Sequence, residues 1–204
     1  MSPVSMALVR TLFICLLLMA CDPSIEQVRV VDRHQHPSAL FQRRNGIKDG
    51  PLTLYWPGGQ VRVHGQYRQD LRDGWWSSFH PDGKRRSLTH YSDGHKDGLR
   101  IYWDSLGRPV RSEVFSQGVP NGPFYRLFPN GRPAQHSNYL HGLLEGPHDR
   151  WYTGPGACHL NGFYHQGKET GLWTEYDTLG RMVWQAWLKD GEVERAVYGV
   201  RREH

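Results

Sequence analysis

The sequence predicts an all-β fold in which consecutive antiparallel β-hairpins, each about 24 residues long, form one extended twisted sheet. The first observation is a column of glycines at nearly constant spacing: Gly50, Gly74, Gly98, Gly122, Gly146 and Gly171. Two further glycine columns keep the same step, nine and twenty residues after each of these repeat glycines. A fixed period in this range indicates one supersecondary unit copied side by side, so we interpret the chain as a repeat array.

Each repeat contains two short extended segments separated by turn signals. In the repeat that begins at Gly74, the first segment leads into Pro81-Asp82-Gly83 and the second ends before Asp93-Gly94. Asp-Gly and Asn-Gly dipeptides supply the positive φ angles of tight turns, and those that contain the repeat glycines, such as Asp73-Gly74, are assigned to turns as well. A two-helix repeat is excluded, because about six to eight residues between glycines cannot form a stable helix.

Two columns of large side chains predict the buried face of the sheet. One lies five residues after the repeat glycine and the other lies seventeen residues after it; because side chains alternate faces along a strand, both odd offsets are expected on one core face. Small residues fifteen residues after the repeat glycine, such as Gly65 and Thr89, are expected to let rings lie over the backbone, with Glu113 as an exception. The columns are Tyr55, Phe79, Trp103, Leu127, Trp151 and Tyr176, and Tyr67, Tyr91, Phe115, Tyr139, Tyr164 and Leu188.

The repeat pattern begins with a glycine, which is followed five places later by an aromatic residue. Gly-Lys or Gly-Arg, a second aromatic residue and Gly-x-x-x-Gly then follow in order. Good copies of this pattern lie at 74–98 and 171–191. This pattern resembles the MORN-repeat variant found in many bacterial proteins, some of them called antitoxin-like. The resemblance covers about residues 41–194 and implies consecutive β-hairpins in one long antiparallel sheet. It implies no single function, since proteins with such repeats serve as scaffolds, membrane-associated modules and partner-binding surfaces.

Residues 1–20 are predicted to be a lipoprotein signal peptide. Arg10 precedes an apolar run that is far shorter than the roughly 20 residues a membrane-spanning helix needs. Leu18-Met19-Ala20-Cys21 resembles a bacterial lipobox, which implies that Cys21 is lipidated and that the mature protein is anchored on the periplasmic side of a bacterial membrane. Asp22 favours the inner membrane. An uncleaved hydrophobic anchor and an ordinary signal peptide are the alternatives.

The rest of the chain is divided into a linker at 21–40, a repeat domain at 41–200 and a frayed tail at 201–204. The linker is expected to hold no more than a degenerate strand, and Val193–Val200 is expected to form a final capping strand. Outside the signal and the lipidated position, Cys158 is the one remaining cysteine, so no intrachain disulfide is expected. The formal net charge of +5 is scattered along the chain and indicates only a weak bias toward acidic partners or lipid headgroups.

Motifs for catalysis, metals and cofactors are missing from the sequence. The nearest histidine groups, His34 with His36 and His90 with His95, lack the spacing of a zinc site. No nucleophile elbow, P-loop or dinucleotide fingerprint occurs, and the glycine-rich turns open no helix that could bind phosphate. We therefore expect no enzyme activity, no metal site and no cofactor.

A basic residue recurs ten residues after the repeat glycine, at Lys84, Arg108, Arg132 and Arg181. One interpretation is that these side chains only keep the hairpin tips soluble. The other is a cationic margin, spaced by about 9–10 Å per repeat, that meets anionic headgroups or an acidic partner. Nucleic acid is not expected as a ligand, because the chain is predicted to be exported.

Aromatic residues at even offsets are the candidate partner-binding surface. They would lie opposite the core columns, as an apolar face that is unusual for a monomer. The set is Trp56, Trp76, Tyr102, Phe124, Phe128, Tyr152 and Trp173. Coverage by the linker or the last strand, a protein partner, and stacking on sugar rings are the competing explanations.

The sequence therefore favours a membrane-tethered lipoprotein whose repeat sheet is a protein–protein interaction scaffold in the cell envelope, with an envelope protein as partner. The alternatives are a cell-wall glycan-binding module that uses the exposed aromatics, and an immunity or antitoxin-like protein that binds a toxin. The glycan alternative requires Trp56, Trp76 and Trp173 to be exposed. Open edges at the first and last strands also favour homo-oligomers through edge pairing.

Overall fold

In the computed structural model of the chain, the structure describes residues 24–154 and 158–199. These residues form one sheet of 17 β-strands. All of the strand pairings are antiparallel and join strands that are close in sequence, so the sheet is an open meander of hairpins. The predicted fold class is confirmed. The predicted signal peptide, Cys21 and the tail at 201–204 lie outside the described residues.

The strands follow one another at short intervals along the whole described chain. Their bounds are β1 Ile25–Val31, β2 Pro37–Arg44, β3 Ile47–Tyr55, β4 Val61–Arg68, β5 Leu71–Phe79, β6 Arg85–Ser92, β7 His95–Trp103, β8 Pro109–Ser116, β9 Val119–Pro120, β10 Gly122–Leu127, β11 Pro133–Leu140, β12 Leu143–Leu144, β13 Gly146–Trp151, β14 Cys158–His165, β15 Lys168–Tyr176, β16 Met182–Lys189 and β17 Glu192–Tyr198. Both β9 and β10 pair with β8, and both β12 and β13 pair with β11, so each pair is one long strand with an interruption.

Two kinds of turn alternate and lie on opposite margins of the sheet. At the first margin, which we call the tip margin, a glycine nine residues after the repeat glycine closes a short loop, as where Gly83 N donates to His80 O. At the second, the narrow margin, two residues with positive φ join the strands, as in Asp93-Gly94 with φ of 47° and 83°. This is the turn geometry that suits the twist of paired strands. Asp70, with φ of 65°, takes the glycine's place in the first repeat.

The dipeptides that contain the repeat glycines do not form turns, which corrects the prediction. Gly74, with φ of 66°, lies inside β5, where the register with β4 is shifted by a bulge. The residue before a repeat glycine instead supports the next narrow turn with its side chain. Asp97 Oδ1 accepts a hydrogen bond from Gln117 N at 3.2 Å, and Asn121 Oδ1 accepts one from His141 N at 3.1 Å.

The buried face of the sheet differs from the predicted one. Within a hairpin, Gly74 pairs with Tyr91 and Trp76 pairs with Thr89, so the offsets of paired residues from the repeat glycine add up to the odd number seventeen. An even offset on the first strand therefore shares a face with an odd offset on the second strand. The expectation that both odd columns lie on one core face is wrong.

We call the face that carries Trp76 the packed face and the other the open face. On the packed face, the predicted column at offset seventeen is joined by a column at offset two, which is Leu52, Trp76, Arg100, Phe124, His148 and Trp173. The predicted core column at offset five, from Tyr55 to Tyr176, lies on the open face, and each of its members is half-buried. The core is thus formed by side chains that pack along one face of a single-layer sheet.

Two tryptophans that lie on glycines are the best-packed groups of this face. Trp76 is 6% exposed, and a Cβ added to Gly65 would come within 2.4 Å of its ring. Trp173 is 0% exposed and lies in the same way on Gly162, where an added Cβ would come within 2.2 Å. The prediction that small residues let rings lie over the backbone is confirmed, although the rings come from a column that was not predicted to be core.

The packed face is most completely buried near its carboxyl-terminal end. Trp173 contacts the ring of Tyr164 edge to face at 5.2 Å between centroids. Edge-to-face pairs of this kind add about 0.5–1.5 kcal/mol beyond the burial of area. The buried cluster is Leu160, Trp173, Trp184, Ala186 and Leu188.

The imidazole of His148 is buried in the packed face and is expected to make the free energy of unfolding depend on pH. It is 6% exposed, and its Nδ1 lies 2.9 Å from Ser137 Oγ. Burial, reinforced by the positive charge of Arg150, lowers the pKa of His148 below its ordinary value of 6.5. Because the unfolded chain then binds the proton more readily than the folded chain, the contribution of neutral His148 to stability is present above about pH 6.5 and is lost as the pH falls below it.

We therefore expect the free energy of urea unfolding to decrease between about pH 6.5 and pH 5, in a range above the ordinary pKa of the aspartates. His148→Gln should flatten this part of the curve. The matched control is His141→Asn in an exposed narrow turn, where asparagine tolerates the positive φ. A His148→Gln curve as steep as the wild-type curve would contradict this prediction.

The two ends of the described chain differ in how they match the predictions. Residues 21–40, predicted as a linker, contain all of β1 and the beginning of β2, paired through seven residues from Ile25 to Val31. That prediction is wrong, since the sheet begins four residues after Cys21. The predicted capping strand is confirmed as β17, Glu192–Tyr198. No helix in the described part of the chain is long and apolar enough to cross a membrane.

Candidate binding face

Large apolar side chains are exposed on the open face, mainly toward the narrow margin. Trp75 is 50% exposed, although its neighbour Trp76 is buried, because consecutive side chains of a strand point to opposite faces. Most positions of this apolar band are between two fifths and one half exposed. The apolar band consists of Ile47, Leu71, Trp75, Leu99, Val119, Tyr125, Leu143, Phe163 and Trp187. Exposed apolar side chains thus recur along the sheet on one face, and a large exposed apolar patch is typical of an interaction site.

The narrow turns position part of the apolar band. Leu71 follows one narrow turn, and its Cδ2 would lie 3.2 Å from a Cβ added to Gly94 in the next one. Val119 stands in the same relation to Gly142, at 3.0 Å from Cγ1. The glycine at offset twenty therefore both allows the positive φ of its turn and leaves room for the apolar side chain of the preceding repeat.

Two histidine rings lie against aromatic rings of the apolar band. The rings of Trp75 and His90 meet edge to face with centroids 4.9 Å apart. The rings of Tyr125 and His136 stack with centroids 4.8 Å apart. These contacts restrict the rotamers of two exposed aromatic residues, which lowers the entropy that is lost when a partner covers them.

The structure separates the residues that the sequence grouped as a partner-binding surface. Trp76 and Trp173 are buried in the packed face, so their assignment to an exposed surface is wrong. Tyr102 is half-buried on the packed face, where burial raises the pKa of its hydroxyl. Since two of the three indoles required for sugar stacking are buried, the glycan alternative lacks the exposed rings that it needs.

The remaining predicted aromatics lie at the tip margin and join neighbouring repeats. Trp56 Nε1 donates to Phe79 O at 3.4 Å, and Tyr152 donates its hydroxyl proton to Tyr176 O at 3.0 Å. Phe128 occupies the corresponding loop position and is half-buried. In each hydrogen-bonded case the acceptor belongs to the next repeat, so these side chains connect hairpin tips and are not free to serve a partner.

The predicted basic margin is largely neutralised within its own loops. Arg108 and Arg181 bind Asp104 and Asp177 at 2.8 Å, and Lys84 binds Asp82 at 3.2 Å. Hydrogen bonds from the backbone N–H groups of Arg108 and Arg181 are the main cause of the lowered pKa values of the two aspartates. The fourth cation, Arg132, donates to Gly154 O. This pairing favours the interpretation that the basic residues stabilise the tips.

The predicted core residues Tyr55 and Phe79 line an open groove on the open face. Its volume is about 780 Å³, and polar groups of His64, Ser77 and Arg85 share its wall. The groove lies between neighbouring hairpins, because each repeat contributes one ring at offset five.

Among residues 24–154 and 158–199, no group of three or more His, Cys, Asp or Glu side chains is arranged to hold a metal ion.

Trp75, Leu71 and Val119 were not singled out from the sequence, although a signal for them exists. Aliphatic residues directly follow three of the six narrow turns at this place in the repeat, at Leu71, Val119 and Leu143. Trp75 stands beside Trp76 in a strand, so one of these two indoles must face away from the core whichever face is buried. Comparison with models of known protein families gives no match, and comparison with curated proteins gives none either.

Proposed function

We propose that this chain is a lipid-anchored lipoprotein of the bacterial envelope whose repeat sheet binds a protein partner through the apolar band of the open face. The observation that carries the proposal is the contrast between Trp75 and Trp76: the indole of Trp76 is buried, and that of Trp75 is half-exposed against the ring of His90. Aromatic residues in such positions are the usual anchors of protein interfaces.

Membership in the MORN-repeat variant family and lipidation of Cys21 are part of this proposal. The repeat period, the turn glycines and the meander of hairpins support the first. The lipobox-like residues before Cys21 support the second. A lipid anchor four residues before β1 would confine the sheet near the membrane and raise its effective concentration toward partners there. Toxin binding as an immunity protein uses the same class of interface, but no contact in the structure favours it specifically.

The proposal predicts a position-dependent crosslink. A photoreactive amino acid at position 75 in the full chain should give one discrete adduct in native membranes, because it replaces a side chain within the apolar band. The matched control is position 179, since Leu179 is 75% exposed but lies in a tip loop away from the band. The mass of the adduct tells a second copy of this chain from a different protein.

Two results would contradict the proposal. Absence of an adduct at position 75, with the chain still membrane-bound, would argue against the apolar band as an interface. Equal adducts at positions 75 and 179 would indicate random collision. Cys21→Ser should move the chain from the membrane fraction to the soluble fraction, and continued membrane association of that variant would contradict the lipid anchor.

A further inference from the structure

Four arginine side chains follow one another across the packed face. They are Arg100 on β7, Arg111 on β8, Arg126 on β10 and Arg150 on β13. The register places Arg111 directly opposite Arg126, and Gln135 pairs with both Arg126 and Arg150. We call this row the arginine ridge. It crosses the middle repeats of the sheet.

Among the described residues, three of the four guanidinium groups of the arginine ridge form no ion pair, although the register places Glu113 directly opposite Arg100. Arg111 forms an ion pair with Glu113. The side chains of Arg100, Arg126 and Arg150 make no hydrogen bond or ion pair with any residue that the structure describes. The Nε of Arg100 is buried without a hydrogen-bond partner. The like charges of Arg111 and Arg126, which lie directly opposite each other, are destabilising, and so is the buried unpaired Nε of Arg100.

Aromatic rings support the amino-terminal part of the ridge. The guanidinium carbon of Arg100 lies 4.4 Å from the ring centroid of Tyr102, and that of Arg111 lies 5.1 Å from the ring centroid of Phe124. A guanidinium stacked on a ring keeps the N–H groups at its edge available, and these N–H groups match the two oxygens of a carboxylate. The stacking therefore holds the cations in place without satisfying their donors.

We propose that the arginine ridge binds an acidic peptide segment, whose carboxylates pair with Arg100, Arg126 and Arg150. Arg126 and Arg150 are two strand spacings apart, or about 10 Å, which is close to three residues of an extended peptide. Glutamate or aspartate at every third position would thus meet successive cations. This site lies on the face opposite the apolar band, so the inference goes beyond the proposed function and does not depend on it.

The twist of the sheet favours a peptide over a membrane surface as the ligand. From β7 to β13 the ridge crosses four strand-to-strand steps. Neighbouring strands rotate by about 20–25° relative to one another, so the direction of the face changes by roughly 80–100° along the ridge. A planar array of lipid headgroups cannot follow such a surface, whereas a flexible chain can. Anionic lipid is therefore an outcome to be separated in the test.

The test measures binding of a fluorescent peptide with glutamate at every third position and with glycine and serine elsewhere. The full chain is titrated at roughly 0.05 M salt, where screening is weak. Arg126→Glu should weaken binding at least about tenfold. The matched control is Arg86→Glu, which makes the same charge change at an exposed residue of β6; because Ser87 lies on the packed face, Arg86 lies on the open face. Its effect should stay below about twofold.

Stability measurements separate loss of binding from loss of folding. Arg126→Glu places a carboxylate opposite Arg111, so its thermal midpoint should rise while peptide binding falls. The glutamine version of the peptide should not bind.

Three results would overturn the proposal. The first is no binding of the acidic peptide at concentrations up to about 1 mM. The second is equal weakening by Arg126→Glu and Arg86→Glu. The third is ridge-dependent binding of phosphatidylglycerol vesicles without peptide binding, which would assign the ridge to lipid.

Discussion

Replacement of Trp173 by alanine should lower the free energy of unfolding by about 3–5 kcal/mol. The side chain is 0% exposed, and its Nε1 donates to the backbone oxygens of Phe163 and Thr170, both at 3.1 Å. Its ring also contacts those of Tyr164 and His148, at 5.2 and 6.0 Å between centroids. A single-layer sheet has no second layer that could collapse into the space, so much of the cavity should fill with water. Urea unfolding followed by tryptophan fluorescence and circular dichroism measures the loss.

The control for this experiment is Trp187→Ala. Trp187 is 40% exposed on the open face of the adjoining strand, and its ring contacts Arg195 at 5.9 Å from the guanidinium carbon. Removal of a half-exposed indole should cost no more than about 1–2 kcal/mol. If the two variants lost the same stability, the distinction between a packed and an open face would be wrong.

Each repeat of this sheet depends on contacts with its neighbours for stability, because a hairpin on its own buries too little surface. The structure shows the links. Gly94 N donates to Arg72 O, and Gly118 N donates to Lys96 O. Each of these hydrogen bonds joins a narrow turn to the corresponding strand of the preceding repeat. The guanidinium of Arg72 also lies 4.7 Å from the ring centroid of Trp76 and 5.2 Å from that of Tyr91, across a strand boundary.

Much of the fold could be predicted from the sequence because glycine positions determine where the chain can turn. Gly83 and Gly94 have φ of 85° and 83°, which other residues rarely adopt, so their period predicts the period of the hairpins. The same signal misled at Gly74, where the positive φ belongs to a bulge within a strand. Dipeptide composition alone cannot tell a turn from a bulge, since both need the same backbone conformation.

The buried face could not be read from offsets counted across a turn. Alternation holds within a strand, but the loop length decides how the two strands of a hairpin are matched in register. The pairing of Trp76 with Thr89 depends on the length of the tip loop and on its bulge near Phe79. A better signal was present at Gly65 and Gly162, because a glycine inside a strand often marks the close approach of another group.

The candidate site was predicted less well than the fold, for a related reason. Once the faces are reassigned, Trp76 and Trp173 belong to the core, while Trp75 becomes the exposed aromatic residue of the band. The arginine ridge could not be found in one column of the sequence. Its members come from offsets two, four and thirteen, and only the register brings Arg111 and Arg126 together.

The second large effect is expected from the smallest substitution, Gly162→Ala. The φ of Gly162 lies outside the left-handed region, so its backbone accepts alanine, and a glycine-to-alanine change inside a strand would ordinarily stabilise by about 0.5–1 kcal/mol. Here the new methyl group would come within 2.2 Å of the ring of Trp173. The indole must leave its position over the strand, which breaks its hydrogen bond to Phe163 O. We therefore expect a loss of about 1–3 kcal/mol.

The sign of the change is what makes this substitution diagnostic. Gly154→Ala is the matched control, because no atom lies within 4 Å of the added methyl group and the φ of this residue is also outside the left-handed region. It should leave the unfolding midpoint unchanged or slightly higher. Gly65→Ala should repeat the effect of Gly162→Ala, since Trp76 lies on Gly65 at 2.4 Å from the added Cβ. If Gly162→Ala were as stable as Gly154→Ala, the indole would not rest on the glycine, and the packed face would be held together by other contacts.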